Sequence, residues 1–194
     1  MDDRLPNAAA RIGPLPLKEA LGGTIRQLRP SDLPRFRDHL LRLDAQSRRD
    51  RFNGATSDAF VAAYADRCFA EGATVIGYLD GDRVLGAAEL HERPDEAEPT
   101  AEIAFSVERH LQHRGLGGRL FARLIQQAKG FGYTRLFVTT HADNRAMKAL
   151  ARRFEAALTF AEGETVGVIR LEPAAEEDFF PAPRRPMPVR RAFA

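Results

Sequence analysis

The spacing of apolar residues along the chain predicts alternating strands and helices. Apolar side chains recur every three or four positions in four segments, which we assign to helices: 33–43, 57–68, 117–129 and 144–154. Seven shorter segments have the composition and alternation of strands: 24–29, 74–79, 83–90, 101–107, 135–140, 158–160 and 166–171. The resulting order, βααβββαβαββ, is typical of a mixed sheet with helices on its faces.

This pattern is confined to the middle of the chain, so we expect one domain spanning residues 24–172. Residues 1–23 are rich in Ala, Pro and Gly and show no sustained period, which predicts a flexible N-terminal arm. Segment 181–188 is too rich in proline for a helix or a central strand. Residues 173–194 are therefore expected to form a disordered Pro/Arg-rich tail.

Composition narrows the classes of function. The chain has 194 residues, a net charge of +2 and 44% hydrophobic residues, which is ordinary for a globular protein and gives no case for nucleic acid as a partner. It has no apolar run of membrane-spanning length and no signal core, so we expect no membrane association and a cytoplasmic location. A lone Cys68, expected to be a small core residue, excludes an intrachain disulfide. The histidines, expected at the surface or in loops, lack metal-ligand spacing, so no metal is expected.

The most informative segment lies between a predicted strand and a predicted helix. Diphosphates bind at helix N-termini, where backbone amides lack acceptors and the helix dipole favours an anion. Glycines leave those amides bare, and neighbouring arginines can add charge-assisted bonds. We therefore predict a phosphate cradle made of Gln112, His113, Arg114, Gly115, Leu116, Gly117, Gly118 and Arg119.

Two better-known phosphate motifs do not fit this segment. A dinucleotide fingerprint needs a third glycine three positions after the second, and counting from Gly117 that position holds Leu120. A nucleoside-triphosphate loop ends in Gly-Lys-Ser/Thr, and that ending is missing from the sequence. A dinucleotide-dependent oxidoreductase is therefore disfavoured.

The string Gln112-x-x-Gly115-x-Gly117 resembles the Arg/Gln-x-x-Gly-x-Gly/Ala signature of the GNAT superfamily of N-acetyltransferases. Segments 24–32 and 144–150 resemble the family's first strand with its helix entry and its Asn-x-x-Ala/Met-x-x-Leu helix. Segment 47–52 resembles a Ser-Arg-x-x-Arg-Phe stretch of the branch that includes bacterial protein-lysine acetyltransferases. The resemblance implies an α/β (α+β) fold with a mixed, mostly antiparallel central sheet flanked by helices, and acetyl-CoA (coenzyme A) as cofactor.

The resemblance also implies how acetyl-CoA binds. The strand that ends at Val107 should splay from strand 135–140, so that the backbone of Phe105, Ser106 and Val107 can pair with pantetheine. Asn144 resembles the family asparagine that bonds the pantetheine arm, although an ordinary helix cap explains it equally well. A backbone N–H near the same strand end could polarise the thioester carbonyl.

Acetyl transfer to a primary amine requires a base, because a lysine amine with a pKa of about 10.4 is protonated at neutral pH. Glu102 matches the family position that often holds this base, and Glu89 has equal standing from the sequence alone. Many relatives carry a tyrosine that protonates the departing sulfur, but this chain has Ala151 there. No general acid is therefore expected at that position.

Two hypotheses follow, an N-acetyltransferase that works by direct attack in a ternary complex, and an acyl-CoA-binding sensor with little catalysis. The missing tyrosine keeps the second one open. The acceptor is a protein lysine or a small-molecule amine, and segment 47–52 favours the protein lysine without deciding it. The sequence does not determine the oligomeric state, for which a homodimer is the commonest closed assembly.

Overall fold

The computed structural model describes residues 21–161 and 163–172. Most of the predicted arm and the whole predicted tail lie outside these ranges. The described helices are α1 Leu33–Arg42, α2 Ala45–Phe52, α3 Asp58–Ala70, α4 Leu116–Gly130 and α5 Arg145–Arg153. The described strands are β1 Thr24–Gln27, β2 Thr74–Asp80, β3 Arg83–Glu92, β4 Thr100–Val107, β5 Arg135–His141, β6 Ala157–Ala161 and β7 Glu164–Arg170.

Helix α2 is the element that sequence analysis missed, so the predicted order is wrong at this point and the observed order is βαααβββαβαββ. The helix begins after Asp44, whose carboxylate accepts hydrogen bonds from the backbone N–H groups of Gln46 and Ser47. It ends where Asn53 adopts a left-handed conformation with φ of 54°. Six of its eight residues are charged or strongly polar, so it has no apolar stripe from which a period could be recognised.

The seven strands form one sheet in the order β1-β2-β3-β4-β5-β7-β6. Every neighbouring pair is antiparallel except β4 and β5, which are parallel. The mixed, mostly antiparallel sheet flanked by helices is thus confirmed.

Strands β4 and β5 separate part-way along their length. Their ladder joins Thr100 to Arg135 and ends at the pair Glu102–Phe137. Beyond this pair, β4 continues to Val107 and remains paired to β3, while β5 continues to His141 and remains paired to β7. We call this opening the fork. The predicted splay of these two strands is confirmed.

The helices cover both faces of the sheet. Helix α4 lies on one face through an apolar stripe that includes Leu120, Phe121 and Leu124, all fully buried. Helices α1 and α3 cover the other face with a second buried cluster that includes Phe36 and Val61. None of the helices in the described ranges is both long and apolar enough to cross a bilayer.

Candidate active site

The fork opens into a cavity of about 890 Å³, a volume typical of ligand sites. Its walls come from five parts of the fold: the separated arm of β4, the end of β5, the turn that begins α4, helix α2 and helix α5. The predicted phosphate cradle and the predicted base therefore lie on one continuous cavity.

The turn into α4 has the backbone geometry that the cradle requires. Gly115 is the N-cap with φ of 85°, a conformation that favours glycine. The backbone N–H of Arg119 is the first in the helix to bond an α-helical acceptor, the carbonyl of Gly115 at 3.2 Å. The amides of Leu116, Gly117 and Gly118 precede it and have no acceptor within the helix. The side chain of Leu116 is buried, so only its backbone is available to a ligand.

The surroundings of Gly117 and Gly118 indicate whether packing or a ligand requires glycine at these positions. A Cβ atom at Gly117 would lie 3.5 Å from Leu150 Cδ2, and one at Gly118 would lie 3.5 Å from Arg153 Nη1. These are ordinary contact distances, so internal packing does not require glycine at either position. Both glycines line the cavity, where a larger side chain would cover the amides. A ligand that binds these backbone amides at close range would account for glycine at both positions.

The cations beside the cradle differ from those expected. Neither Arg114 nor Arg119 is among the described residues that line the cavity, so their phosphate contacts stay predictions. Arg145 and Arg153 of α5 do line it. They are eight positions apart, about two helical turns, and so share one face of α5. Sequence analysis missed them because it weighed only cations next to the glycines.

The separated arm of β4 is anchored by two side chains and one carbonyl, which leaves part of its backbone edge facing the fork. The ring of Phe105 stacks on Phe121 with centroids 4.7 Å apart. Ser106 Oγ lies 2.8 Å from His39 Nε2, and the carbonyl of Val107 accepts a hydrogen bond of 3.0 Å from Gln112 Nε2. Main-chain groups in an antiparallel strand alternate between its two neighbours, so those of Ser106 bond β3, whereas those of Phe105 and the N–H of Val107 face the fork. Contacts of all three residues with a cofactor stay predictions.

Two predicted side-chain roles change with these contacts. His39, expected at the surface or in a loop, is fully buried, and burial lowers the pKa of its imidazole. The expectation was wrong because both of its ring nitrogens find partners inside the protein, Ser106 and Glu108. Gln112 also donates to Ser47 Oγ at 2.9 Å, so its side chain braces the turn against α2.

Helix α2 spans the fork. It is joined to the turn before α4 by the bond between Ser47 and Gln112. At its other end, Asn53 Oδ1 accepts a hydrogen bond of 3.0 Å from the backbone N–H of His141 at the end of β5.

Asn144 Oδ1 caps α5 by accepting from Met147 N at 2.9 Å, so the helix-cap interpretation of this residue is confirmed. Asn144 also lines the cavity, and its contact with pantetheine stays a prediction.

Glu102 lies at the base of the fork, as the last β4 residue paired with β5. Its side chain is half-buried and lines the cavity. A carboxylate at this point can meet both a cofactor held in the fork and an acceptor that enters from the side of α2.

Glu89, the alternative base, is fully buried and already engaged. Its carboxylate accepts hydrogen bonds from Arg51 at 2.7 Å and Tyr64 at 2.5 Å, and lies 3.1 Å from His91 Nε2. Burial alone would raise the pKa of Glu89, but the charge of Arg51 and the bond from His91 offset this and hold it well below its usual value. Glu89 is therefore an ionised structural group. Of the two candidate bases that the sequence did not separate, the structure favours Glu102.

The same cluster includes an arginine and a cysteine. The side chain of Arg51 is only 7% exposed because it pairs with Glu89. Cys68 is buried as expected, and burial is the main cause that raises the pKa of its thiol. The Cys68, Glu89 and His91 ligand atoms lie within 4.8 Å of one another. A metal ion there would face the guanidinium of Arg51, so the arrangement is better explained as an ion-pair network.

At the family's tyrosine position, the structure has a residue that cannot donate a proton. Ala151 lies on the buried face of α5 and is 1% exposed. A proton for a departing sulfur would therefore come from another group or from water.

The chain matches known proteins in sequence family and in fold. A sequence model of the acetyltransferase (GNAT) family matches residues 38–156, inside the predicted domain. The structure is similar to the GNAT domain of S. lividans PAT, with a TM-score of 0.66 and 18% identity over 77% of this chain and 90% of that one.

Two further solved structures are similar at comparable levels. One is yncA, a putative acetyltransferase from Salmonella typhimurium with its cofactor acetyl-CoA, with a TM-score of 0.57 and 18% identity over 81% of this chain and 99% of that one. The other is the ribosomal-protein-S18-alanine N-acetyltransferase from Escherichia coli, with a TM-score of 0.60 and 19% identity over 81% of this chain and 99% of that one. The family match covers more than half of the chain, and the fork and cradle agree with it. The chain therefore belongs to the GNAT family of acetyl-CoA-dependent acetyltransferases.

Proposed function

We propose that this protein transfers an acetyl group from acetyl-CoA to a primary amine by direct attack in a ternary complex. The fork carries the proposal, because it joins an open strand edge, a bare helix N-terminus and a half-buried carboxylate on one cavity. When bound, acetyl-CoA supplies the acetyl group as a thioester.

The chain's own residues account for binding of this cofactor. The main chain of Phe105 and the N–H of Val107 face the fork, where β5 no longer pairs with β4, and can bond a cofactor there, whereas the main chain of Ser106 bonds β3. The first amides of α4 offer donors to a diphosphate. Arg145 and Arg153 bring positive charge to the same wall. The cavity thus matches a long ligand with amides in its middle and phosphates at one end.

Glu102 is proposed as the base that removes a proton from the acceptor. An alkylammonium with a pKa of about 10.4 is unreactive until it loses that proton. A carboxylate at the cavity wall can accept it directly or through a water molecule. Glu89 cannot replace Glu102 in this role, because its lone pairs are occupied by donors in the interior.

The acceptor is proposed as a primary amine, with a protein lysine favoured over a small molecule by segment 47–52. The E. coli relative acts on an alanine of a ribosomal protein, which is consistent with a macromolecular acceptor in this fold. The cytoplasmic location and the homodimer stay predictions from the sequence.

A panel of lysine peptides, polyamines, amino acids and aminoglycosides, assayed for release of the CoA thiol, tests this function. We expect release with at least one class of amine and expect Glu102→Gln to reduce kcat by about 100-fold or more, the range for general-base catalysis. The Kd for acetyl-CoA, measured by calorimetry, should stay within a few-fold of the wild-type value. Unchanged turnover in Glu102→Gln would remove Glu102 as the base.

A sensor that binds acyl-CoA with little catalysis is the second candidate, favoured by the buried alanine at position 151. Tight acetyl-CoA binding without thiol release from any amine of the panel would support the sensor. No increase in Tm at saturating acetyl-CoA would contradict both candidates, because a ligand selective for the native state raises it.

A further inference from the structure

We propose that His91, held by Glu89, receives the proton that Glu102 removes from the acceptor amine and passes it to solvent. The inference rests on the proposed function, and it assigns the proton a route that the carboxylate alone does not provide. Its basis is the register of β3 and β4 and the hydrogen bonds of the buried cluster.

His91 is the direct cross-strand partner of Glu102 in the antiparallel ladder. Side chains of such partners project from the same face of the sheet, with Cβ atoms about 4.5–5.5 Å apart. An imidazole and a carboxylate at facing positions of neighbouring strands can exchange a proton through one water molecule. The side chain of His91 is 32% exposed, so the ring also reaches solvent.

Hydrogen bonding determines which ring nitrogen of His91 is basic. His91 Nε2 lies 3.1 Å from Glu89 Oε2. Glu89 is ionised through its pair with Arg51, and an ionised carboxylate only accepts hydrogen bonds. Nε2 therefore carries the hydrogen and Nδ1 has the free lone pair, which is how a neighbouring acceptor fixes the tautomer of an imidazole.

The groups that face His91 come from four elements of the fold. On its own strand it contacts Glu89, from α3 it contacts the Tyr64 hydroxyl at 3.2 Å, and from β4 it faces Glu102. Helix α2 contributes Arg51, whose charge is balanced by Glu89.

The proton transfer needs no other reactant. One N–H bond of the ammonium breaks as an O–H bond forms on Glu102. That proton then passes through a bridging water to Nδ1 of His91, which becomes an imidazolium with its second N–H directed at Glu89. Loss of the Nδ1 proton to water restores both groups for the next turnover.

The principal test is His91→Gln, because a glutamine amide can still donate to Glu89 and keep the network intact. We expect kcat/KM for the acceptor to fall about ten-fold at pH 7, with the Kd for acetyl-CoA within two-fold of the wild-type value and a changed pH profile. His110→Gln is the matched control: His110 is 60% exposed and is not a strand partner of Glu102, so its replacement should leave both quantities unchanged.

Chemical rescue separates proton transfer from structural support. Imidazole added to the buffer should restore part of the lost rate in His91→Ala and none in Glu102→Gln. Wild-type kcat/KM and an unchanged pH profile in His91→Gln would overturn the proposal.

A measurement on the wild type keeps the proposal falsifiable if the variants fold poorly. Nuclear magnetic resonance of the His91 ring should show the Nε2–H tautomer, and an Nδ1–H tautomer would overturn it. If the wild type binds acetyl-CoA but acetylates no amine, the proposed function fails. If amines are acetylated but the His91 results differ from those expected, the proposed function stands and only this inference fails.

Discussion

Replacing Arg51 with methionine should destabilise the fold far more than a surface arginine substitution. Arg51 and Glu89 are 7% and 0% exposed in their side chains, and their charged atoms lie 2.7 Å apart. Methionine fills much of the arginine's volume but leaves the carboxylate of Glu89 buried without its counter-charge. The cost arises from that unpaired charge rather than from a cavity.

The expected loss is about 3–5 kcal/mol in the free energy of unfolding at pH 7, the range for breaking one side of a buried ion pair. For a domain of this size that corresponds to a fall in Tm of roughly 6–20 °C. The pKa of Glu89 is depressed in the wild type, so the pair stabilises the fold above the unfolded-state pKa of about 4.3 and loses this effect as the pH falls below it. The gap between wild type and Arg51→Met should therefore narrow on acidification.

Urea denaturation followed by circular dichroism measures both effects, with Arg37→Gln as the control. Arg37 pairs with Asp66 at the surface, where such pairs contribute about 0–1 kcal/mol. Adding Glu89→Gln to Arg51→Met should recover at least half of the loss, because a neutral amide still accepts from Tyr64 and needs no counter-charge. A loss no larger than that of the control, or a double variant no better than Arg51→Met, would refute the reasoning.

Three smaller predictions concern the cradle, the cofactor's charge and the α1 entry. Gly117→Val should weaken acetyl-CoA binding at least about ten-fold by calorimetry because its side chain covers the cradle amides, whereas Gly130→Ala, at the far end of α4, should not. Arg153→Gln should weaken binding about three- to ten-fold at low salt and less at high salt, with Arg119→Gln as the comparison; equal effects would contradict the assignment. Asp32→Asn should lower the free energy of unfolding by about 1–2 kcal/mol at pH 7 in urea titrations, and less below pH 4, because bonds mainly from Arg26 hold the pKa of Asp32 far below its usual value; a pH-independent loss would contradict this.

The parts of the fold that the sequence predicted are those with a clear period or a strong cap. Helix α4 was recognisable because its apolar stripe and its starting glycines are both local signals. Helix α2 was not, because its position depends on hydrogen bonds to Gln112 and His141, which lie 65 and 88 positions away from their partners. A polar helix shows no apolar period, and the cap at Asp44 does not by itself distinguish a helix from a turn.

The roles of Glu89 and Glu102 also could not be predicted from the sequence alone. Glu89 and Glu102 both lie on apolar strands, and nothing in their neighbouring residues separates them. Their roles differ because Arg51, 38 positions from Glu89, reaches its carboxylate in the interior. Long-range ion pairing therefore decides which carboxylate is structural and which is available, and a single sequence does not report it.

The fork itself points to a ligand that carries amides. Each arm is held by its outer neighbour, since Val107 pairs with Gly86 of β3 and His141 pairs with Glu164 of β7. The arms therefore cannot close on each other without breaking those ladders. Their inner edges keep main-chain donors and acceptors that face the cavity, where water can satisfy them until a ligand replaces it. A ligand with amide groups at strand-like spacing can make the main-chain hydrogen bonds that β4 and β5 no longer make with each other. A splayed sheet therefore suits pantetheine better than an apolar ligand of the same length.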